Sequence, residues 1–312
     1  MIPASETFGG TWPFAPHFTE RAGFQQHYVD EGRENSGSTI VLLHGEPTWG
    51  YLYRHLIGPL SRDHRVIVPD HMGFGKSATP ADHSYLAGDH IDNLTSLLID
   101  ELDLTDITLV LHDWGGPIGT GFALRHPDRI KAVVAMNTVV GLGLPEQDKA
   151  FVSNMSDSLW FQWANAAAHD GRLDEVLGNA GSTVIHLMLS LMTITHPEIV
   201  TPNWVRAYSA HFTDRAACEG VIQFPRQLAV TEASDEQPAF DPAAVARIQA
   251  LPAMLLYGMQ DTALVPEHII PAFTAAFPDA PVIEVANAGH FPQEDNPDAV
   301  LAALQLFIHS LR

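Results

Sequence analysis

Ile107-Thr-Leu-Val-Leu111, His112-Asp113-Trp114-Gly115-Gly116 and Pro117-Ile-Gly-Thr-Gly-Phe-Ala-Leu-Arg125 follow one another without a break. The first stretch is β-branched and aliphatic, the second is rich in small residues, and the third has the composition of a helix. Strand, sharp turn and helix in that order form the setting in which hydrolytic enzymes present a nucleophile. Here the residue at the tip is Asp113. A carboxylate is already ionised at neutral pH. It can therefore attack carbon without a base to activate it, giving an ester that a second, base-assisted step must hydrolyse. The competing reading is an aspartate that merely caps the following helix. Gly115 and Gly116 favour the tight turn, because glycine tolerates close backbone approach, and motifs elsewhere in the chain strengthen the nucleophile reading.

Outward from this stretch, other strand-like runs are Thr39–Leu43, Arg65–Val68, Ala132–Ala135, Ala253–Tyr257 and Val282–Val285. Helical patterns such as His90–Leu102 lie between them. Such alternation predicts an α/β fold with a mostly parallel sheet covered by helices, preceded by an antiparallel hairpin around residues 25–30. The strand signals stop after Asn137 and return near Ala253, with Trp160, Trp163 and Trp204 in the gap. An all-α cap inserted between two sheet strands follows. The predicted organisation is a core over residues 1–138, a cap over 139–224 and the rest of the core over 225–312.

The 312 residues are 46% hydrophobic and 17% charged, enough for a substantial core without staples. One cysteine, Cys218, excludes an internal disulfide and any Cys-x-x-Cys site. A formal net charge of −21 argues against nucleic acid as a partner. The N-terminal residues do not read as a signal peptide, and Val184–Ile194, the most apolar run, is too short to span a bilayer and reads as a buried helix. A cytoplasmic protein with no membrane partner is expected.

Two further motifs belong with the elbow. His44-Gly45-Glu46-Pro47-Thr48-Trp49 directly follows a predicted strand, so that the backbone N–H of Glu46, with that of Trp114, would form an oxyanion hole. Asn287-Ala-Gly-His290-Phe-Pro-Gln-Glu294 follows the last strand. Among 17 histidines, His290 stands out as the general base because it completes the chain order nucleophile, acid, histidine. The orienting acid belongs after one of two strands. The earlier one is followed by Asn137 and the later one by Asp261, so Asp261 is expected in that role. Asp70-His-Met-Gly-Phe-Gly-Lys76-Ser77 imitates a phosphate-binding loop, but position 70 is not glycine and Pro80 displaces the helix start. It reads as a structural loop. Neither His-Glu-x-x-His nor Gly-x-Ser-x-Gly occurs, so zinc-protease and serine-hydrolase chemistry gain no support.

With these motifs together, the chain resembles the haloalkane dehalogenases of the α/β-hydrolase superfamily over most of its length. His44–Arg54, His112–Gly116 and Gly289–Glu294 carry the likeness, as do Ala207–Asp214 and Gln223–Arg226 at the cap exit; residues 164–199 match nothing in the family. The resemblance implies an α/β-hydrolase fold with an all-α cap and an Asp113–His290–Asp261 triad. It also implies two halide-binding indoles, Trp114 and, from Trp160-Phe-Gln-Trp163, Trp163 with Trp160 in reserve. The implied partners are a small apolar halogenated substrate, halide and water. No metal or other cofactor is implied, and a monomer is expected. The rival readings are an epoxide hydrolase with the same triad and a non-catalytic ligand-binding relative. Against the first, Leu111 stands where epoxide hydrolases usually have glycine, and Tyr208 is the only tyrosine in the predicted cap, where those enzymes generally use two.

Overall fold

The computed structural model describes residues 1–35, 37–231 and 240–311. An eight-stranded sheet runs in the order β1-β2-β4-β3-β5-β6-β7-β8. Its strands are β1 (His17–Thr19), β2 (Gln26–Glu31), β3 (Thr39–Leu43), β4 (Arg65–Pro69), β5 (Ile107–His112), β6 (Ile130–Met136), β7 (Ala253–Gly258) and β8 (Val282–Val285). β1 and β2 form the expected antiparallel hairpin, β2 pairs antiparallel with β4, and all other pairings are parallel. The central strands are continuous aliphatic runs because helices cover both faces, so neither face needs polar residues. Ile40 to Leu43, Leu109 to Leu111 and Val134 to Met136 are essentially inaccessible. Burying each such side chain stabilises the fold by about 1.5–3 kcal/mol.

The helices are α1 (Arg54–Leu60), α2 (Ala87–Thr95), α3 (Gly115–Arg125), α4 (Pro145–Asp157), α5 (Leu159–His169), α6 (Leu173–Leu177), α7 (Ala180–Ser190), α8 (Pro202–Ser209), α9 (Glu219–Thr231), α10 (Pro242–Gln249), α11 (Pro266–Ala276), α12 (Pro292–Asp295) and α13 (Pro297–Ser310). Between β6 and β7 no strand occurs among the described residues. α4 to α9 fill the segment expected to be a cap, and the expected boundary at residue 224 falls inside α9. Val184 and Met188 of the apolar run are buried in α7, which ends at Ser190. Among the described residues no helix is long and apolar enough to cross a membrane.

The strand order reverses beside β3. After β3 the chain steps outward to β4 and then returns to β5 on the other side. Open α/β sheets bind ligands in the crevice at such a switch point, beyond the carboxyl ends of the strands. Leu43 of β3 pairs with Leu111 of β5, which brings the His44–Glu46 turn beside Asp113.

Candidate active site

Asp113 has φ +49°, left-handed for a residue that is not glycine. Such a conformation costs on the order of 1–3 kcal/mol and persists only where the surroundings enforce it. Here the packing is tight enough to do so. A Cβ on Gly115 would stand 2.3 Å from the Leu43 carbonyl oxygen, and one on Gly45 would stand 2.2 Å from the Asp113 carboxyl. The glycines therefore let strand ends and turn close on each other. The Thr138 hydroxyl donates to the Asp113 carbonyl at 2.5 Å and fixes the bend from β6.

The Asp113 carboxyl points toward the other predicted residues. Its Oδ1 accepts the Glu46 backbone N–H at 2.6 Å, and the Trp114 backbone N–H also favours its ionised form. Its Oδ2 lies 3.4 Å from His290 Nε2. Burial pushes the carboxyl up, but His290 and the Trp114 N–H more than offset this, so it ionises below the usual carboxylate range. The carboxylate is held as an anion.

His290 is fully buried, and its Nδ1 lies 2.7 Å from Asp261 Oδ2. The other oxygen of Asp261 accepts the backbone N–H groups of Ala263 and Leu264, at 2.8 and 2.9 Å. Burial opposes charge on the imidazole, but the two flanking carboxylates win and raise its pKa to about 10. With Asp113 free, His290 is thus an imidazolium at neutral pH.

Three residues support this arrangement beyond those anticipated as functional. Asn137, passed over as an acid, donates its amide to Asp261 Oδ2 at 2.8 Å and to the Gly258 carbonyl, while its amide oxygen accepts the Gly258 N–H. It pins the acid loop to the end of β6. His112 Nε2 lies 2.8 Å from the His290 carbonyl oxygen and holds the histidine loop from β5. Thr193, with φ +60°, follows α7 and accepts the His290 backbone N–H at 3.1 Å. Only Asn137 left a trace in the sequence, by standing where an acid is sought.

The aromatic residues form two pairs. Trp114 stacks on Phe224 of α9 at 4.5 Å between centroids and 9° between planes. Trp163 packs against Trp160 at 5.2 Å, with Trp160 buried and Trp163 partly exposed. No ring contact joins the pairs among the described residues. Glu46 is 1% exposed, and neither of its carboxyl oxygens has a hydrogen-bond partner in good geometry. Tyr208, the cap tyrosine, donates its hydroxyl to Glu294 and is not available to a substrate. The Asp70 loop is structural: its carboxyl accepts backbone N–H groups of Gly50 and Lys76, and Lys76 Nζ is engaged by the carbonyls of Ala4 and Glu6. A surface cavity of about 630 Å³ opens elsewhere, lined by residues such as Asp174, Phe212 and Arg215; none of the triad contributes to it.

Residues 38–297 match the family described as the alpha/beta hydrolase fold. A curated relative from Mycobacterium bovis, haloalkane dehalogenase 2, is 33% identical over 293 residues, covering 94% of each chain. The chain belongs to the haloalkane dehalogenase family. The solved structure of the haloalkane dehalogenase DpaA from Paraglaciecola agarilytica, a tetramer, is 26% identical with a TM-score of 0.73, over 99% of this chain and 98% of that one. A further curated relative, from Shewanella oneidensis, bears the name cis-3-alkyl-4-alkyloxetan-2-one decarboxylase; it is 32% identical over 95% of this chain and 89% of its own length. This member of the dehalogenase family thus has relatives named for chemistry on a strained oxygen ring as well as on halides.

Proposed function

We propose that the chain hydrolyses haloalkanes to alcohol, halide and a proton through an alkyl ester on Asp113. The observation that carries this reading is an ionised aspartate at the elbow, in the nucleophile's place, with a carboxylate-held histidine facing its free oxygen. In the first step Asp113 Oδ2 displaces halide in line from an sp³ carbon. Trp114 and Trp163 are assigned as the halide donors, since an indole N–H can sit in an apolar wall and favours the charged transition state over the neutral substrate.

The second step follows from the charges. Ester formation neutralises Asp113, so His290 loses one of the two carboxylates that hold its proton, and its pKa falls toward the range of a base. His290 gives its imidazolium proton to solvent, and, oriented by Asp261, then takes a proton from water, which attacks the carboxyl carbon of Asp113. The oxyanion develops on Oδ1, the oxygen already 2.6 Å from the Glu46 N–H, so the hole formed by the Glu46 and Trp114 N–H groups needs no rearrangement. The cap, assigned to residues 139–224, excludes water from the first step. We assign the enzyme to the cytoplasm and expect a monomer; neither step uses a metal or other cofactor.

Bromide released from a 1-bromoalkane, measured directly, tests the reading. Release in step with alcohol is expected, and silence across short and medium bromoalkanes would refute it. Trp163→Phe removes one donor to a buried anion and is expected to weaken halide binding about ten- to a hundredfold, read from halide quenching of tryptophan fluorescence. Unchanged quenching would move the role to Trp160.

A further inference from the structure

A buried carboxyl group and a partly exposed one meet at the elbow. The Glu46 backbone holds Asp113 Oδ1, and the Glu46 side chain, 1% exposed, lies within the field of the Asp113 carboxylate and beside the Trp114 side chain. Two like charges so placed disfavour each other's ionisation. Burial first, and the Asp113 charge second, push the Glu46 carboxyl well above the usual range; the Trp114 indole works in the other direction by offering its N–H, although no bond to either oxygen meets good geometry. Burial and the neighbouring charge thus favour the protonated form of Glu46 and the ionised form of Asp113. A buried polar atom without a partner costs on the order of 1–3 kcal/mol, and here both oxygens of one carboxyl are in that position.

We propose that Glu46 is a built-in acid that protonates an oxygen leaving group, so that the same site opens small apolar terminal epoxides. The inference rests on Asp113 being the nucleophile of the proposed dehalogenation. Other candidate acids are committed elsewhere. The hydroxyls of Tyr53 and Tyr257 donate to the carbonyls of Leu43 and Leu264, that of Tyr208 to Glu294, and that of Tyr85 to the Pro80 carbonyl. Tyr51 shares a hydrogen bond with Thr11, and Tyr28 lies on β2, beyond β4 and β3 from the elbow. Apart from the His290 imidazolium, Glu46, next to the indole assigned to the leaving group, is the acid with a proton to give.

The steps balance without a co-reactant. Asp113 Oδ2 bonds to the terminal ring carbon, the carbon–oxygen bond breaks, and its electron pair goes to the ring oxygen, which takes the Glu46 proton. This leaves a hydroxyalkyl ester on Asp113 and a carboxylate on Glu46. Once Asp113 is esterified, His290 gives its imidazolium proton to solvent; in hydrolysis it takes a proton from water and returns it to the departing alcohol oxygen, and it regains a proton from solvent when the Asp113 carboxylate is restored. Asp113 then emerges as a carboxylic acid beside the Glu46 carboxylate and restores its proton. Epoxide and water give diol with no net proton, whereas a bromoalkane releases one.

The test uses His290→Phe, in which ester hydrolysis is blocked and the imidazolium is removed as a rival acid. This variant and its combination with E46Q are each given 1-bromohexane or 1,2-epoxyhexane, and intact mass is followed over time. An amide can still donate a hydrogen bond to halide but cannot surrender a proton to an alkoxide. The expected result is ester from both compounds in His290→Phe. In the double variant, ester from bromohexane should slow by a few-fold and ester from epoxyhexane by about a hundredfold or more. No epoxide adduct in His290→Phe, or equal slowing of the two compounds by E46Q, would overturn the role of Glu46. No adduct from bromohexane either would overturn the reading of Asp113 instead.

Discussion

Asp113→Ala is expected to reduce bromide release by about 10⁴-fold or more, to the uncatalysed level. The size follows from what is lost. Without the carboxylate the elbow offers no nucleophile to displace halide, and Asp261 is committed to His290 and two backbone N–H groups. Water as a substitute nucleophile would lack the in-line carboxylate that reaches carbon without activation. Alanine at φ +49° also strains the turn, by about 1–2 kcal/mol. Asp113→Asn separates chemistry from folding, since asparagine tolerates the left-handed conformation and keeps the shape. It is expected to be as inactive as alanine with a melting temperature near the wild type. Bromide release by the alanine variant above about one per cent of wild type would remove Asp113 as the nucleophile.

The strands, the antiparallel entry and the gap filled by helices were legible in the sequence because each rests on local pattern. Fully buried parallel strands read as aliphatic runs, and the strand signals fail where helices replace the sheet. The meeting of Asp113, His290 and Asp261 was legible because topology puts their loops at one edge of the sheet, and the Leu43–Leu111 register brings Glu46 to the same place. What stayed hidden is tertiary. Phe224 as the surface under Trp114 requires α9 to lie across the elbow, and no periodicity announces that. The expected cap boundary at 224 falls inside α9, which carries Pro225 in its interior. The roles of His112 and Thr193 depend on backbone carbonyls and N–H groups meeting across the site. Glu46 was read for its backbone alone; its side chain gains meaning only once burial next to a second carboxyl is known.

His290→Phe is the second large effect and divides the reaction in time. Phenylalanine fills the ring's space but cannot take a proton, so turnover is expected to fall by about 10⁴-fold while the first step survives. The Asp113 carboxylate loses the imidazolium that favours its charge, yet keeps the Glu46 and Trp114 N–H groups, so attack on carbon continues. The ester then accumulates: one bromide per enzyme is released in a burst and nothing follows.

That burst makes the central claim directly measurable. Mass spectrometry of His290→Phe after reaction with 1-bromohexane is expected to show the protein heavier by a hexyl group less one hydrogen, with the added mass in a peptide containing Asp113 and on that residue when the peptide is fragmented. An unmodified Asp113 peptide alongside a bromide burst, or continued turnover with no adduct at all, would contradict the account.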